Sequence, residues 1–78
     1  MRKKVPASYD PRLTSEDIRD FKRLLRRTPG VAQAIKNARW IDENHARVWT
    51  GSAPGGCLVA FVRVDGNWQL TEWSHYIT

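Results

Sequence analysis

Seventy-eight residues with 13 Lys and Arg against 8 Asp and Glu, 41% of them hydrophobic, make room for one domain and exclude a nucleotide-binding α/β enzyme or a barrel. A lone cysteine, Cys57, excludes an internal disulfide and a four-cysteine zinc site, and it suits a reducing, cytoplasmic setting. No apolar run approaches the ~18–20 residues of a membrane span, and the basic start Met1-Arg2-Lys3-Lys4 leads into no apolar signal core, so a soluble chain without membrane contact is expected.

Charge is divided unevenly. Residues 1–39 hold 11 Lys and Arg and 4 Asp and Glu, or +7, whereas residues 40–78 hold 2 Arg and 4 acids, or −2. Residues 1–12 contain two prolines, four basic groups and no periodic apolar pattern, the makeup of a flexible basic arm ahead of a single α+β domain at 13–78. The helix that follows is well marked. Thr14 is its N-cap, Asp17 stands in capping-box position, and Leu13 and Ile18 fill the two places of a hydrophobic staple. Ile18, Phe21, Leu24 and Leu25 make one apolar stripe, with acids early and Lys22, Arg23, Arg26 and Arg27 late, as the macrodipole favours.

Thr28-Pro29-Gly30 ends that helix and can open a second, short one with Val31, Ala34, Ile35 and Ala38 on its apolar face. Strands are then expected at 39–42, 46–50, 57–64 and 68–77, with a turn at Glu43-Asn44-His45, a glycine-rich loop at 51–56 and a hairpin turn at Asp65-Gly66-Asn67. The predicted fold is one long and one short helix packed on a four-stranded antiparallel sheet. For the last hairpin, a three-residue turn gathers Leu58, Ala60, Val62, Trp68 and Leu70 on the helix-covered side. Cys57, Val59, Phe61 and Trp73 are thereby expected on the reverse side, which one helical layer cannot cover and which would meet another molecule.

Catalytic groups are few. Cys57 and His75 come near each other only if the hairpin extends that far, and a small inert thiol is the ordinary reading. Asp42 and Glu72 form a carboxylate pair only by an accident of folding, and neither metal-ligand spacing nor a phosphate loop is present. No enzyme, cofactor or metal is expected.

The run Ala46-Arg47-Val48-Trp49-Thr50-Gly51, then Gly55-Gly56 before an apolar strand, then Val64-Asp65-Gly66-Asn67-Trp68-Gln69-Leu70 and a closing Tyr76-Ile77-Thr78, resembles small bacterial domains of the nuclear transport factor 2-like superfamily. The variety in question is classed as immunity proteins of toxin systems. The resemblance covers residues 46–78. It implies a cystatin-like roll, helices against a curved sheet, dimers through the sheet's outer face, and no catalysis.

The expected function is therefore non-catalytic binding of a protein partner, such as a toxin to be neutralised, or of a second copy, through the open sheet face. Trp49, Phe61, Arg63 and Trp73 are the expected contacts, with Arg47 at the rim. The alternative is nucleic-acid binding by the arm and first helix, through Arg2, Lys3, Lys4, Lys22, Arg23, Arg26 and Arg27.

Overall fold

In the computed structural model, residues 8–52 and 55–77 are described. Strand β1 (Ser8–Tyr9) is followed by helix α1 (Ser15–Arg26) and by β2 (Ile35–Asp42), β3 (His45–Ser52), β4 (Gly55–Val64) and β5 (Asn67–Ile77). The strands lie in sequence order in one sheet, β1 parallel to β2 and every later pair antiparallel. One helix on a five-stranded mixed sheet thus replaces the expected pair of helices on a four-stranded antiparallel sheet, and the cystatin-like roll built on that count falls with it.

Helix α1 starts as its sequence dictates. Asp17 N–H donates to Thr14 Oγ1 at 3.1 Å, and Thr14 N–H donates to Asp17 Oδ2 at 2.9 Å, so the capping box is complete. Ile18, Phe21 and Leu25 carry the stripe into the core, where the Phe21 ring stacks on Phe61 with centroids 4.4 Å apart and meets Trp68 edge-on at 5.0 Å. Around them lie Leu13, Val31, Ala38, Ala46, Val48, Cys57 and Val59, all buried.

The second helix does not form. Gly30 takes φ +87, a conformation that ends a helix, and the chain runs extended from Ile35. Ile35 pairs with Thr50 and Asn37 with Trp49, so Lys36 is an inserted residue, and this bulge sets Ile35 and Ala38 three apart on one face. That spacing imitates a helix. The added strand at the other edge, β1, pairs Ser8 with Asn37 and Tyr9 with Ala38, and the Asp10 N–H extends the ladder to the Ala38 carbonyl at 2.9 Å. Arg12 follows, chelated by Asp10 and lying 4.4 Å above the Trp40 ring. Residues 1–7, which hold most of the expected arm, lie outside the described residues.

The β4–β5 hairpin decides which side chains meet the helix. Asp65 at φ 52 and Gly66 at φ +80 form a two-residue turn with both central residues left-handed, so Val64 pairs with Asn67 and Arg63 with Trp68. The expected three-residue turn is corrected. Farther along, Phe61 pairs with Leu70 but Ala60 with Glu72, leaving Thr71 as the bulged residue, its hydroxyl donating to the Ala60 carbonyl at 3.1 Å. The bulge restores phase, so that Cys57, Val59 and Phe61 join Trp68, Leu70 and Trp73 on the helix side. Leu58, Ala60 and Val62 face the other way.

Candidate functional site

Because α1 covers one face, the reverse face of β2–β5 is open among the described residues. Its side chains form rows across the strands. The row through Ala60 runs Arg39, Arg47, Ala60, Glu72. Next to it runs Asn37, Trp49, Leu58, Ser74, and beyond that Gly51, Gly56, Tyr76; on the other side lie His45, Val62 and Gln69. The outward side of β4 is thus entirely apolar from Leu58 through Val64, flanked by cations on the β2–β3 side and by neutral polar groups and one carboxylate on β5.

Two shallow depressions mark this face. One, of about 280 Å³, is lined by Arg47, Leu58, Ala60, Glu72, Trp73 and Ser74. The other, of about 520 Å³, is lined by Lys36, Asn37, Arg39, Trp49 and Tyr76. In it the Arg39 guanidinium lies 5.6 Å from the Trp49 ring centroid and Lys36 Nζ lies 6.0 Å from that of Tyr76. Tyr76 reaches inward over Gly56, where a Cβ would come within 3.0 Å of the tyrosine oxygen and would collide with the Thr50 carbonyl. Glycine at 56 is therefore what lets an aromatic ring lie flat across the strands.

Of the residues expected to make contact, Trp49 and Arg47 are on the open face, half-buried and exposed respectively. Phe61, Arg63 and Trp73 are on the covered side. Phe61 is 1% exposed beneath α1. Arg63 lies 4.4 Å above the Trp68 ring and donates to Asp17 Oδ1 at 3.2 Å. Trp73 packs against the core with its ring beside Gly30 and His75. Sequence reasoning missed Leu58, Val62 and Glu72 as members of the open face, and the signal was the alternation Leu58-Ala60-Val62-Val64 combined with an Asp-Gly turn of two residues. Arg39 and Tyr76 carried no local signal.

Lys22, Arg23, Arg26 and Arg27 are exposed on α1, and Arg23 is held by Asp20 at 3.0 Å. Arg2, Lys3 and Lys4 lie outside the described residues.

The remaining polar clusters are accounted for by structure. Partial burial by itself would raise the Asp17 carboxyl, but hydrogen bonds from Trp68 and Thr14 and the Arg63 charge outweigh it and hold the group below its ordinary range. Hydrogen bonds from Arg12 bring Asp10 down to about 2. Asp42 is lowered chiefly by its hydrogen bond with His45, at 2.8 Å, and β3 and β4 stand between it and Glu72. Cys57 and His75 are cross-strand neighbours, but the buried thiol accepts only the Ala32 N–H at 3.5 Å and no hydrogen bond joins it to His75 among the described residues. No group of three metal-ligating side chains converges, and no helix is long and apolar enough to cross a membrane, among the described residues.

No family model, curated protein or solved structure matches this chain.

Proposed function

We propose that this protein is a non-catalytic binding domain that docks a protein partner on the open face of its sheet. The observation that carries this is the unbroken apolar row Leu58, Ala60, Val62 and Val64 with Trp49 beside it, bordered by Arg39, Arg47 and Glu72. An apolar centre inside a charged rim is the arrangement of protein interfaces, and α1 is already committed to the opposite face. Neutralisation of a toxin, which the sequence resemblance implies, is one form such binding takes.

The test places a photo-reactive residue at Leu58 and, as a control, at exposed Lys22, in the full chain. Cross-linked adducts, to a second copy or to another protein, are expected at position 58, suppressed by Arg47→Glu and unaffected by Arg26→Ala. The absence of any adduct at 58, purified or in an extract of the source cells, would overturn the reading.

A second reading is favoured by α1, whose Arg19, Lys22, Arg26 and Arg27 have no acid within 4.0 Å among the described residues. It predicts binding to single-stranded or duplex nucleic acid that weakens steeply with salt and on Arg26→Ala. No binding at low salt removes it.

A further inference from the structure

The geometry points to a second copy of this chain as the occupant of the open face, related by a two-fold axis running along β4. The inference rests on the docking reading above and names its partner. A two-fold axis in the plane of contact and along the strands turns one sheet over onto the other. It brings β4 against β4 and sets β3 of each copy over β5 of the other, because those strands flank β4 at equal distances. Residues that share a cross-strand row keep their height along such an axis.

The rows are then self-complementary. Arg47 and Glu72 share the row through Ala60, so Arg47 of one copy meets Glu72 of the other, twice per dimer. Neither group has an opposite charge within 4.0 Å in its own chain, among the described residues. One row along, bulky Trp49 meets Ser74, and in the next the Tyr76 rings, each lying over its own Gly56 on the axis, meet each other. On the other side His45 meets Gln69. Leu58, Ala60 and Val62 form the seam on the axis itself. Arg47 thus falls against its opposite charge and Trp49 against a small side chain.

The orientation is specific. A two-fold axis across the strands through the Ala60 row would set β3 on β3 and bring Arg47 against Arg47, a like-charge contact. Along β4 the Arg39 side chains, one strand farther out, fall beyond the β5 edge and do not meet. Three strands at about 4.8 Å spacing and about eight residues long give a contact of roughly 400 Å² per copy, below the ~800 Å² of standard interfaces. The dimer is accordingly reversible, forming at micromolar concentrations or above.

Sedimentation equilibrium on the full chain, from micromolar to millimolar concentration, tests this. Wild type is expected to rise from its chain mass of 9.0 kDa to twice that value. Arg47→Glu and Glu72→Arg are each expected to weaken self-association about tenfold or more by setting like charges together. An equimolar mixture of the two variants restores it, because each mixed pair regains both opposite-charge contacts. That recovery requires the groups to meet between copies, since within one chain neither variant repairs the other. Leu58→Glu, which puts two carboxylates on the axis, is an independent third variant expected to stay monomeric. Folding of each is checked by urea unfolding. A wild type that keeps its single-chain mass at millimolar concentration, single variants that associate as wild type does, or a mixture no stronger than its components would overturn the proposal. In the first case, adducts at position 58 with another protein would leave the docking reading standing, whereas no adduct at all would remove both.

Discussion

The indole N–H of Trp68 donates to Asp17 Oδ1 at 3.0 Å, joining the first turn of α1 to the start of β5 across fifty-one residues of sequence. The same carboxylate caps Thr14 N–H and takes Arg63, so one side chain closes the helix and pins it to the hairpin. Asp17→Ala removes the cap and leaves a buried indole donor without its acceptor. A loss of about 2–3 kcal/mol in urea unfolding is expected. Trp68→Phe, which keeps most of the ring and removes only the donor, is expected to cost about 1 kcal/mol.

Acid should undo the same joint. A carboxyl whose folded value lies below its unfolded one stabilises fully above the unfolded value of about 3.9 and ceases to do so as pH falls through the folded value. Asp17 and Asp42 are both lowered, and Asp10 to about 2. Wild-type stability should therefore hold from neutral pH to about pH 4 and decline below it. In Asp17→Asn the starting stability is lower and the decline shallower. A urea midpoint that fell equally steeply in both proteins would assign the acid response to other groups.

The two faces of the sheet predict different fates for their tryptophans. Trp68 is 5% exposed and packs on Phe21, so Trp68→Ala opens a core cavity and should cost ~3–5 kcal/mol. Trp49 is half-buried on the open face, and Trp49→Ala should cost about 1 kcal/mol, the scale of a cross-strand contact, while reducing adducts at position 58. Equal destabilisation by both substitutions would mean that Trp49 is a core residue.

What sequence could reveal divides along the line between local and distant causes. The α1 start was legible because capping is written within four residues, Thr14 to Asp17, and β4 because its apolar run is uninterrupted. β1 left no mark, since two residues pair with a strand that begins some twenty-six positions later. The first half of β2 was mistaken for a helix because the Lys36 bulge converts a period of two into a spacing of three between Ile35 and Ala38, whereas its second half, 39–42, was expected as strand. The same cause inverted the sides of β4. Without the Thr71 bulge, a two-residue turn scatters apolar groups over both faces, and a longer turn seemed to repair this. Trp68 faces inward either way, whereas Phe61, Arg63 and Trp73 moved to the covered side, leaving only Trp49 and Arg47 of the expected contacts on the open one.

Thr50 offers a gain in stability. Its side chain is fully buried between Ile35 and Cys57 in the core-facing row, and its hydroxyl has no hydrogen-bond partner. Valine has nearly the same shape, favours strands, and carries no polar atom to desolvate. Thr50→Val is expected to raise unfolding free energy by about 1 kcal/mol. A loss on substitution would show that the hydroxyl is satisfied in solution.

With Thr71 in the chain, both devices of the β4–β5 hairpin must act together for the open face to exist. Gly66 holds φ +80 with open space where a Cβ would point, so Gly66→Ala meets no clash and isolates the backbone cost. About 1 kcal/mol is expected. Asp65 at φ 52 is better served by asparagine in a turn of this type, and Asp65→Asn should recover a few tenths of a kcal/mol. Deleting Thr71 is a different kind of change: it removes the bulged residue, so that Leu70 opposite Phe61 is followed directly by Glu72 opposite Ala60 and Trp73 opposite Val59, the wild-type pairs in an unbulged ladder. Trp73 therefore keeps its place on the covered side and Glu72 its place on the open one. The deletion variant should still unfold cooperatively, as should Thr71→Val, which keeps the inserted residue and removes only the 3.1 Å bond to the Ala60 carbonyl at a loss of about 1 kcal/mol. Loss of cooperative unfolding in the deletion variant would mean that the local twist of the bulge, and not the pairing around it, holds the hairpin against α1.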